Sequence, residues 1–269
     1  MRKKCPFIWQ SNRRRRSKAF CLFLAPSFLG VLLFVILPFG DVVRRSFTTA
    51  VTGKFNGIGN YQMIFTNEAF LLAVKNTIRF TVTGIPLLVV TGLVVALLLS
   101  NLKDAGWIKT LYLFPLAMPT ATVVIVWKMF FTKQSLAILV LSYLWKNTGY
   151  TVVLWLAGIL AIPKELPEAA RVDGASGHQC FFRVMLPNLK GSLYTIVVLS
   201  FLNSFKIYRE AYLVAGSYPE QDIYLLQHLF NNWFVNLNFD KMAAASVCVG
   251  GFLFFVILLL QYLWDRPEA

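Results

Sequence analysis

Several apolar runs of about twenty residues constrain this chain more than any other feature of its sequence. A helix of about 20 residues crosses the roughly 30 Å hydrocarbon core of a bilayer, so runs of this length predict membrane-spanning helices. The chain is 57% hydrophobic and only 14% charged, whereas soluble domains carry about 25% charged residues. We therefore predict an all-α integral membrane protein without a sizeable soluble domain.

The apolar runs predict six transmembrane helices between a basic tail at 1–18 and a short tail at 264–269. The predicted spans cover about 19–39, 76–100, 107–131, 135–162, 192–215 and 242–263. Pro115 and Pro119 predict a kink in the third span. Two segments, 40–70 and 216–241, are predicted to lie outside, and the second is predicted to contain a short helix.

The basic residues predict the orientation. Lys and Arg concentrate on the cytoplasmic side of membrane proteins, and the tail contains the run Arg13 to Arg16. With both termini in the cytoplasm, fifteen Lys and Arg fall on that side and ten on the other, and the eight in the amino-terminal tail supply most of this bias. Although the net charge is +14, these residues flank spans, so the charge does not indicate a nucleic-acid partner.

The sequence lacks the groups that an enzyme site requires. The two histidines, His178 and His228, fall in segments predicted to lie on opposite sides of the membrane. No HExxH, GxSxG or phosphate-binding glycine loop followed by Lys is present. The four cysteines have no metal-ligand spacing. We expect no catalysis, no metal, and no cofactor bound by this chain.

Glu210 bears on whether the chain is an ion-coupled transporter, which usually needs a carboxylate near the bilayer midplane. It lies late in the fifth predicted span, four residues after Lys206, and the two can pair on one helix face. Three interpretations remain open: a neutralised pair in a wet cavity or at the outer edge, a proton relay, and a substrate contact. A secondary transporter or a membrane scaffold is therefore an alternative function.

The longest polar interruption in the apolar second half is residues 163–190. Pro163 and Pro167 favour helix starts just after them, and Asp173-Gly174 is a turn dipeptide. A second helix is predicted from Ala175 until Leu186-Pro187 stops it. On these grounds alone, a solvated linker and a docking helix are equally good interpretations.

The spacing in this loop resembles a known motif. Glu168-Ala169-Ala170, then Asp173-Gly174-Ala175, then Leu186-Pro187 are similar to the EAA motif of inner-membrane permeases of binding-protein-dependent ABC importers. The stretches SFLGVLLFVILPFGDVVRRSF, NGIGNYQMIF and NTIRFTVTGIPL look like the sugar permeases of that group, in particular the first member of a permease pair. One departure is the joint of Thr132 to Gln134, where family members usually have a longer outside region.

The resemblance implies a type I importer permease in a bacterial cytoplasmic membrane. Its 163–190 loop would carry a cytoplasmic coupling helix between helices 4 and 5. The implied partners are the bilayer, a second permease, two cytoplasmic ATP-binding subunits that bind ATP and Mg²⁺, an extracytoplasmic solute-binding protein and a sugar. Glu168 would meet basic or backbone donor groups of the ATPase, Ala169 and Ala170 would allow close approach, and Gly174 would make the turn.

The resemblance also implies a substrate cavity near the midplane between two permeases. Polar residues in the fourth and fifth spans are the candidates, because amides and hydroxyls bind sugar hydroxyls and tyrosine rings stack on sugar rings. They are Asn147, Asn203, Ser204, Tyr208 and Tyr212, with Thr148 beside them. Such residues also commonly bind neighbouring helices instead. The outside segment 216–241 is either the dock for the binding protein or a packed helix.

Overall fold

The computed structural model describes residues 23–100, 102, 106–130 and 135–264. Within them, apart from turns and one isolated bridge between Thr48 and Phe55, the chain is helical. The helices are α1 Phe23–Ser46, α2 Gly59–Phe65, α3 Glu68–Ser100, α4 Gly106–Ala117, α5 Thr120–Phe130, α6 Leu136–Ala161, α7 Glu165–Val172, α8 Gly177–Asn188, α9 Lys190–Ala215, α10 Leu226–Val235 and α11 Phe239–Trp264.

The described helices include three that are long and apolar enough to cross a membrane, namely α1, α3 and α11. The number rises to five when each of two bent pairs, α6 with α7 and α8 with α9, counts as one span. The all-helical membrane architecture predicted above is confirmed. The basic tail, the Thr132 to Gln134 joint and the end of the carboxyl-terminal tail lie outside the described residues.

The third predicted span differs from the expected single helix. It is divided into α4 and α5, of 12 and 11 residues, and neither alone reaches the length of a straight crossing. The break falls before Thr120, at Met118 and Pro119, while Pro115 lies inside α4. Proline ends or kinks a helix because it removes a backbone N–H and clashes with the preceding turn.

The described chain divides into two compact units, one of which comprises residues up to Ile64 together with Leu237–Gly250. In this unit α1 continues past the predicted end at residue 39 to Ser46. At its basic end Asp41 pairs with both Arg44 at 3.1 Å and Arg45 at 2.6 Å. The Asn60 amide donates to the carbonyls of Ser46 and Thr48, so the segment after α1 is a hydrogen-bonded turn.

The larger unit comprises Phe65–Asn236 and the chain from Gly251 onward, and its core lies where α3, α6 and α9 meet. Close approach of α3 and α6 depends on glycine, because a Cβ at Gly92 would lie 2.5 Å from Thr151 Cγ2. Small residues at such contacts let membrane helices pack tightly. Cross-helix hydrogen bonds add to this packing, including Trp155 Nε1 to the Val89 carbonyl at 3.1 Å.

Helix α9 is interrupted by a 3-10 turn at Phe205–Ile207. The Gln227 amide of α10 donates to the Phe205 carbonyl at this turn, at 3.0 Å. A carbonyl that leaves the regular helical ladder inside a protein needs such a partner, because an unpaired buried polar group is costly. In the half of α9 that follows the interruption, Glu210 lies beside Lys146 of α6.

Candidate functional site

The 163–190 loop is a structured connection between two long helices. Helix α7 leaves α6 at an angle of 66°, and α8 meets α9 at the same angle of 66°. Leu189, at the second bend, is only 1% exposed and belongs to a cluster with Trp155 and Ile196. A Cβ at Gly158 would lie 2.1 Å from Ser192 Oγ, so α6 and α9 touch directly behind the loop.

Gly174 ends α7 in a left-handed conformation, with φ at +83°. The Ala175 N–H donates to the Ala170 carbonyl at 2.9 Å, and the Gly174 N–H donates to the Arg171 carbonyl at 3.1 Å. These two bonds form a Schellman motif, which satisfies the last carbonyls of a helix and favours glycine at the left-handed position. No heavy atom lies within 4 Å of a Cβ built at Gly174, so the requirement for glycine comes from the backbone.

Helix α8 begins at Gly177, two residues later than predicted, because Ser176 caps it. The Ser176 hydroxyl accepts from the Gln179 N–H, and the Gln179 side chain accepts from the Ser176 N–H, which is a capping box. The prediction that Leu186-Pro187 stops the helix was wrong by one turn. A wide π-helical turn at Phe181–Met185 accommodates Pro187, and α8 ends at Asn188.

The residues of the predicted motif lie mostly on the outer surface of this loop. Glu168, Ala169, Asp173, Gly174 and Pro187 are exposed, and Ala170, Ala175 and Leu186 are half-buried. Val172 beside them is 87% exposed. Cys180 joins the two short helices from inside, since it is buried and its Sγ lies 3.9 Å from the Pro167 carbonyl oxygen. The loop therefore exposes the acidic and small residues of the motif together with the apolar side chain of Val172.

A second polar region is a cleft of about 100 Å³ between α6 and the second half of α9. Its lining residues are Leu116, Tyr143, Lys146, Asn147, Asn203, Lys206, Ile207 and Glu210. Glu210 is buried and forms an ion pair with Lys146, whose Nζ also lies 3.3 Å from Thr120 Oγ1. The predicted pairing of Glu210 with Lys206 is wrong among the described residues, since Lys206 instead donates to Asn203 Oδ1 at 2.8 Å.

Two of the five predicted path residues, Asn147 and Asn203, line this cleft. Ser204 is buried and donates to the Phe201 carbonyl of its own helix. Tyr208 and Tyr212 contact each other, with ring centroids 5.4 Å apart, and do not line the cleft. Thr148 likewise donates to its own helix, at the Leu144 carbonyl.

The sequence interpretation missed Lys146 and Tyr143. A signal for Lys146 was present, because a lone cation in an apolar helix needs an intramembrane carboxylate and Glu210 was the candidate. Tyr143 had no such signal. Its hydroxyl donates to the Ser200 carbonyl of α9 at 2.7 Å, and this partner is set by the packing of two distant helices.

The segment between α9 and α11 contains a packed helix. In α10, His228 is buried between Tyr208 and Tyr224, with ring centroids 4.8 and 5.8 Å away. Its Nδ1 accepts from the Leu225 N–H at 3.2 Å, and burial lowers the pKa of the imidazole to about 4. Burial also raises the pKa of Tyr224. No group of three or more His, Cys, Asp or Glu in the described part of the chain could hold a metal ion.

Comparison with known proteins gives consistent matches. A family model described as "Binding-protein-dependent transport system inner membrane component" matches residues 77–266. The trehalose/maltose transport system permease protein MalF of Thermococcus litoralis is 29% identical, over 76% of this chain and 79% of its own length. The sn-glycerol-3-phosphate transport system permease protein UgpA of Agrobacterium fabrum is 27% identical, over 84% and 87%. The solved structure of a bacterial ABC transporter involved in the import of the acidic polysaccharide alginate is 18% identical. It covers 97% of this chain and 99% of its own, with a TM-score of 0.76, so the two share a fold.

Proposed function

Because this chain belongs to the family of binding-protein-dependent transport system inner membrane components, we propose that it forms one half of the translocation path of a sugar importer. ATP hydrolysis by separate subunits would drive that importer. The observation that carries this proposal is the exposed, capped helix α7 between two 66° bends. A helix in this position can transmit a displacement by a soluble partner to the two membrane helices that it connects.

The mechanical argument rests on how firmly α7 is attached. The Schellman motif at Gly174 and the Cys180 contact fix α7 against α8. Behind them, Leu189 is buried, and Gly158 packs against Ser192 without space for a side chain. Because packed interiors transmit strain, displacement of α7 would move the adjoining ends of α6 and α9 rather than deform the loop.

The partners follow from the family and from the exposed loop. A second permease would complete the path, two ATP-binding subunits carrying ATP and Mg²⁺ would receive α7, and a solute-binding protein would deliver substrate from outside. Glu168 is exposed in the first turn of α7, where it can accept hydrogen bonds from an ATPase groove. Both termini would lie in the cytoplasm, and six crossings would result if α4 and α5 together make one broken span.

The proposed substrate is a sugar or oligosaccharide. The compared proteins are named for trehalose and maltose, for glycerol 3-phosphate and for alginate, which share closely spaced hydroxyl groups. Asn147 and Asn203 of this chain supply amide groups to the cleft, and amides suit hydroxyl recognition. A secondary transporter without an ATPase is the competing function, and the buried Glu210 is the observation in its favour.

The loop variant Glu168→Lys tests the coupling role. We expect ATP-dependent uptake of radiolabelled oligosaccharide to fall at least tenfold, since a reversed charge in an ATPase groove opposes docking. Glu165→Lys makes the same charge change on the same helix outside the motif, and it should retain most uptake. Immunoblots of membranes control for insertion. Normal uptake by Glu168→Lys, or failure of any ATP-binding subunit to co-purify in mild detergent, would contradict the proposal.

A further inference from the structure

The charges in the cleft between α6 and α9 do not cancel. It contains two ammonium groups, Lys146 and Lys206, and one carboxylate, Glu210. The side chains of Lys146 and Glu210 are 19% and 4% exposed, and the two neutralise each other. Lys206, in contrast, is exposed, and its recorded bond within the described residues is to a neutral amide oxygen. The cleft therefore carries a net positive charge.

A charge of this kind is unusual in a membrane-spanning helix. Intramembrane ionisable residues are costly, normally face a cavity and are normally paired, so an unmatched one indicates a functional site. The bond to Asn203 holds the Lys206 ammonium at the cleft wall and leaves it with two further N–H donors. The Asn203 amide nitrogen has no recorded acceptor among the described residues.

The donors of the cleft that remain available lie together, at the Lys206 ammonium and the Asn203 amide. The other polar groups of the lining are already engaged, since the Tyr143 hydroxyl donates to the Ser200 carbonyl, the Asn147 amide donates to the Tyr143 carbonyl, and one oxygen of Glu210 pairs with Lys146. An ammonium next to a free amide N–H₂ matches an oxyanion, because charge-assisted hydrogen bonds to carboxylate or phosphate are the strong ones. A volume of about 100 Å³ accommodates one such group while the rest of a larger molecule remains in the path.

We propose that this cleft is a subsite for one anionic group of the transported molecule, a carboxylate or a phosphate, bound by Lys206 and Asn203. The importer would accordingly take an acidic sugar. This inference rests on the proposed function for the identity of the path, but the binding chemistry of the cleft can be measured without transport. Both sources of the oxyanion, a uronic acid and a phosphate ester, share the recognition chemistry and are separated by the test.

The test uses a cysteine reporter in the assembled importer in native membranes. Leu116 lines the cleft without a charged or hydrogen-bonding group, so Leu116→Cys is introduced after Cys5, Cys21, Cys180 and Cys248 are changed to serine. The rates of reaction with an anionic and a cationic methanethiosulfonate reagent are compared on this chain after gel separation. Their ratio reports the sign of the local potential.

We expect the anionic reagent to be favoured, and the ratio to fall about fivefold to tenfold in Lys206→Gln, as the loss of one nearby charge predicts. Arg209→Gln removes the same charge from the same helix but outside the cleft lining, and should leave the ratio unchanged. Trigalacturonate or glycerol 3-phosphate should slow labelling at millimolar concentration, and maltotriose should not. Slowing by only one of the two anions identifies the carboxylate or the phosphate.

Several results would overturn the subsite. They are an unchanged ratio in Lys206→Gln, equal protection by maltotriose, and no protection by either anion. Loss of the second permease from purified Lys206→Gln complexes would also overturn it, because the ammonium would then be an interface contact. The Glu168→Lys uptake measurement can fail independently of this labelling, so a failure of the importer function is distinguishable from a failure of the subsite.

Discussion

Glu210 and Lys146 form an ion pair between α9 and α6, inside the larger unit and away from bulk water. Their side chains are 4% and 19% exposed, so little solvent screens the interaction. Removing two charges from water is costly, and the mutual attraction offsets that cost only when both partners are present. The pair therefore specifies how α6 and α9 fit together more than it adds net stability.

Replacement of one partner should consequently be worse than replacement of both. We expect Lys146→Met to destabilise the purified complex by about 3 kcal/mol, because it leaves a buried carboxylate unpaired. The double variant Lys146→Met with Glu210→Gln should recover most of that loss. Melting temperatures in detergent for wild type, both single variants and the double variant complete the cycle. Additive effects of the two substitutions would show that the ion pair has no such role.

The close packing of α3 against α6 requires the absence of a side chain at Gly92. We expect Gly92→Ala to destabilise the protein by about 1–3 kcal/mol, because the new methyl group would lie 2.5 Å from Thr151 Cγ2 and 3.4 Å from the Trp155 ring. Gly251→Ala in α11 is the matched control, since a Cβ there has no neighbour within 4 Å. Melting temperature in detergent is the measurement, and equal effects of the two changes would contradict the close contact.

Helix α10 has a built-in sensitivity to acid through His228. The pKa of this buried imidazole is lowered from 6.5 to about 4, so folding favours its neutral form. The resulting stabilisation is fully present above about pH 6.5 and is lost as the pH falls from 6.5 towards 4, by at most about 3 kcal/mol. The cause is burial, which disfavours the imidazolium.

We expect the melting temperature of the wild-type complex to fall between pH 7.5 and pH 5 by more than that of His228→Phe, which cannot titrate. The phenyl ring keeps the contacts with Tyr208 and Tyr224 and loses the bond from the Leu225 N–H, so the variant is less stable at neutral pH. Identical pH dependence in both proteins would mean that His228 does not control this loss.

The molecule as a whole must place its loop and its outer segments on opposite sides of the membrane for the proposed function to work. Two arrangements of α4 and α5 have different consequences: the pair makes one broken crossing, or it enters and leaves on one side. Their combined length of 12 and 11 residues is close to the roughly 20 residues of a single span. The number of crossings between α1 and α7 depends on which arrangement occurs.

Cysteine labelling of intact cells decides between the two arrangements. Val51 and Val172 are 96% and 87% exposed, so a cysteine at either position should react readily in a background without native cysteines. We expect Val51→Cys to react with a membrane-impermeant maleimide added outside, and Val172→Cys to react only after permeabilisation. Reaction of both from the same side would show that α4 and α5 do not complete a crossing.

Much of the architecture was predictable from local patterns. Apolar runs predicted the membrane helices, because the bilayer imposes a length on any helix that crosses it. The Asp173-Gly174 dipeptide predicted the turn that ends α7, since its left-handed backbone favours glycine. Boundaries were less accurate, as shown by α1, which continues to Ser46, and by α8, which starts after the Ser176 cap.

The partner choices of polar residues could not be predicted from the same patterns. Lys206 lies one helical turn from Glu210 in the sequence, yet Glu210 pairs with Lys146 from another helix. Hydropathy and turn chemistry depend on neighbours along the chain, and these local patterns were sufficient to predict a membrane protein with two short helices joined by a turn at 163–190. The cleft depends on how α6 packs against an interrupted α9, and that contact joins residues more than fifty positions apart. The net positive charge of the cleft could therefore be recognised only from the folded chain, in which Glu210 pairs with Lys146 and not with Lys206.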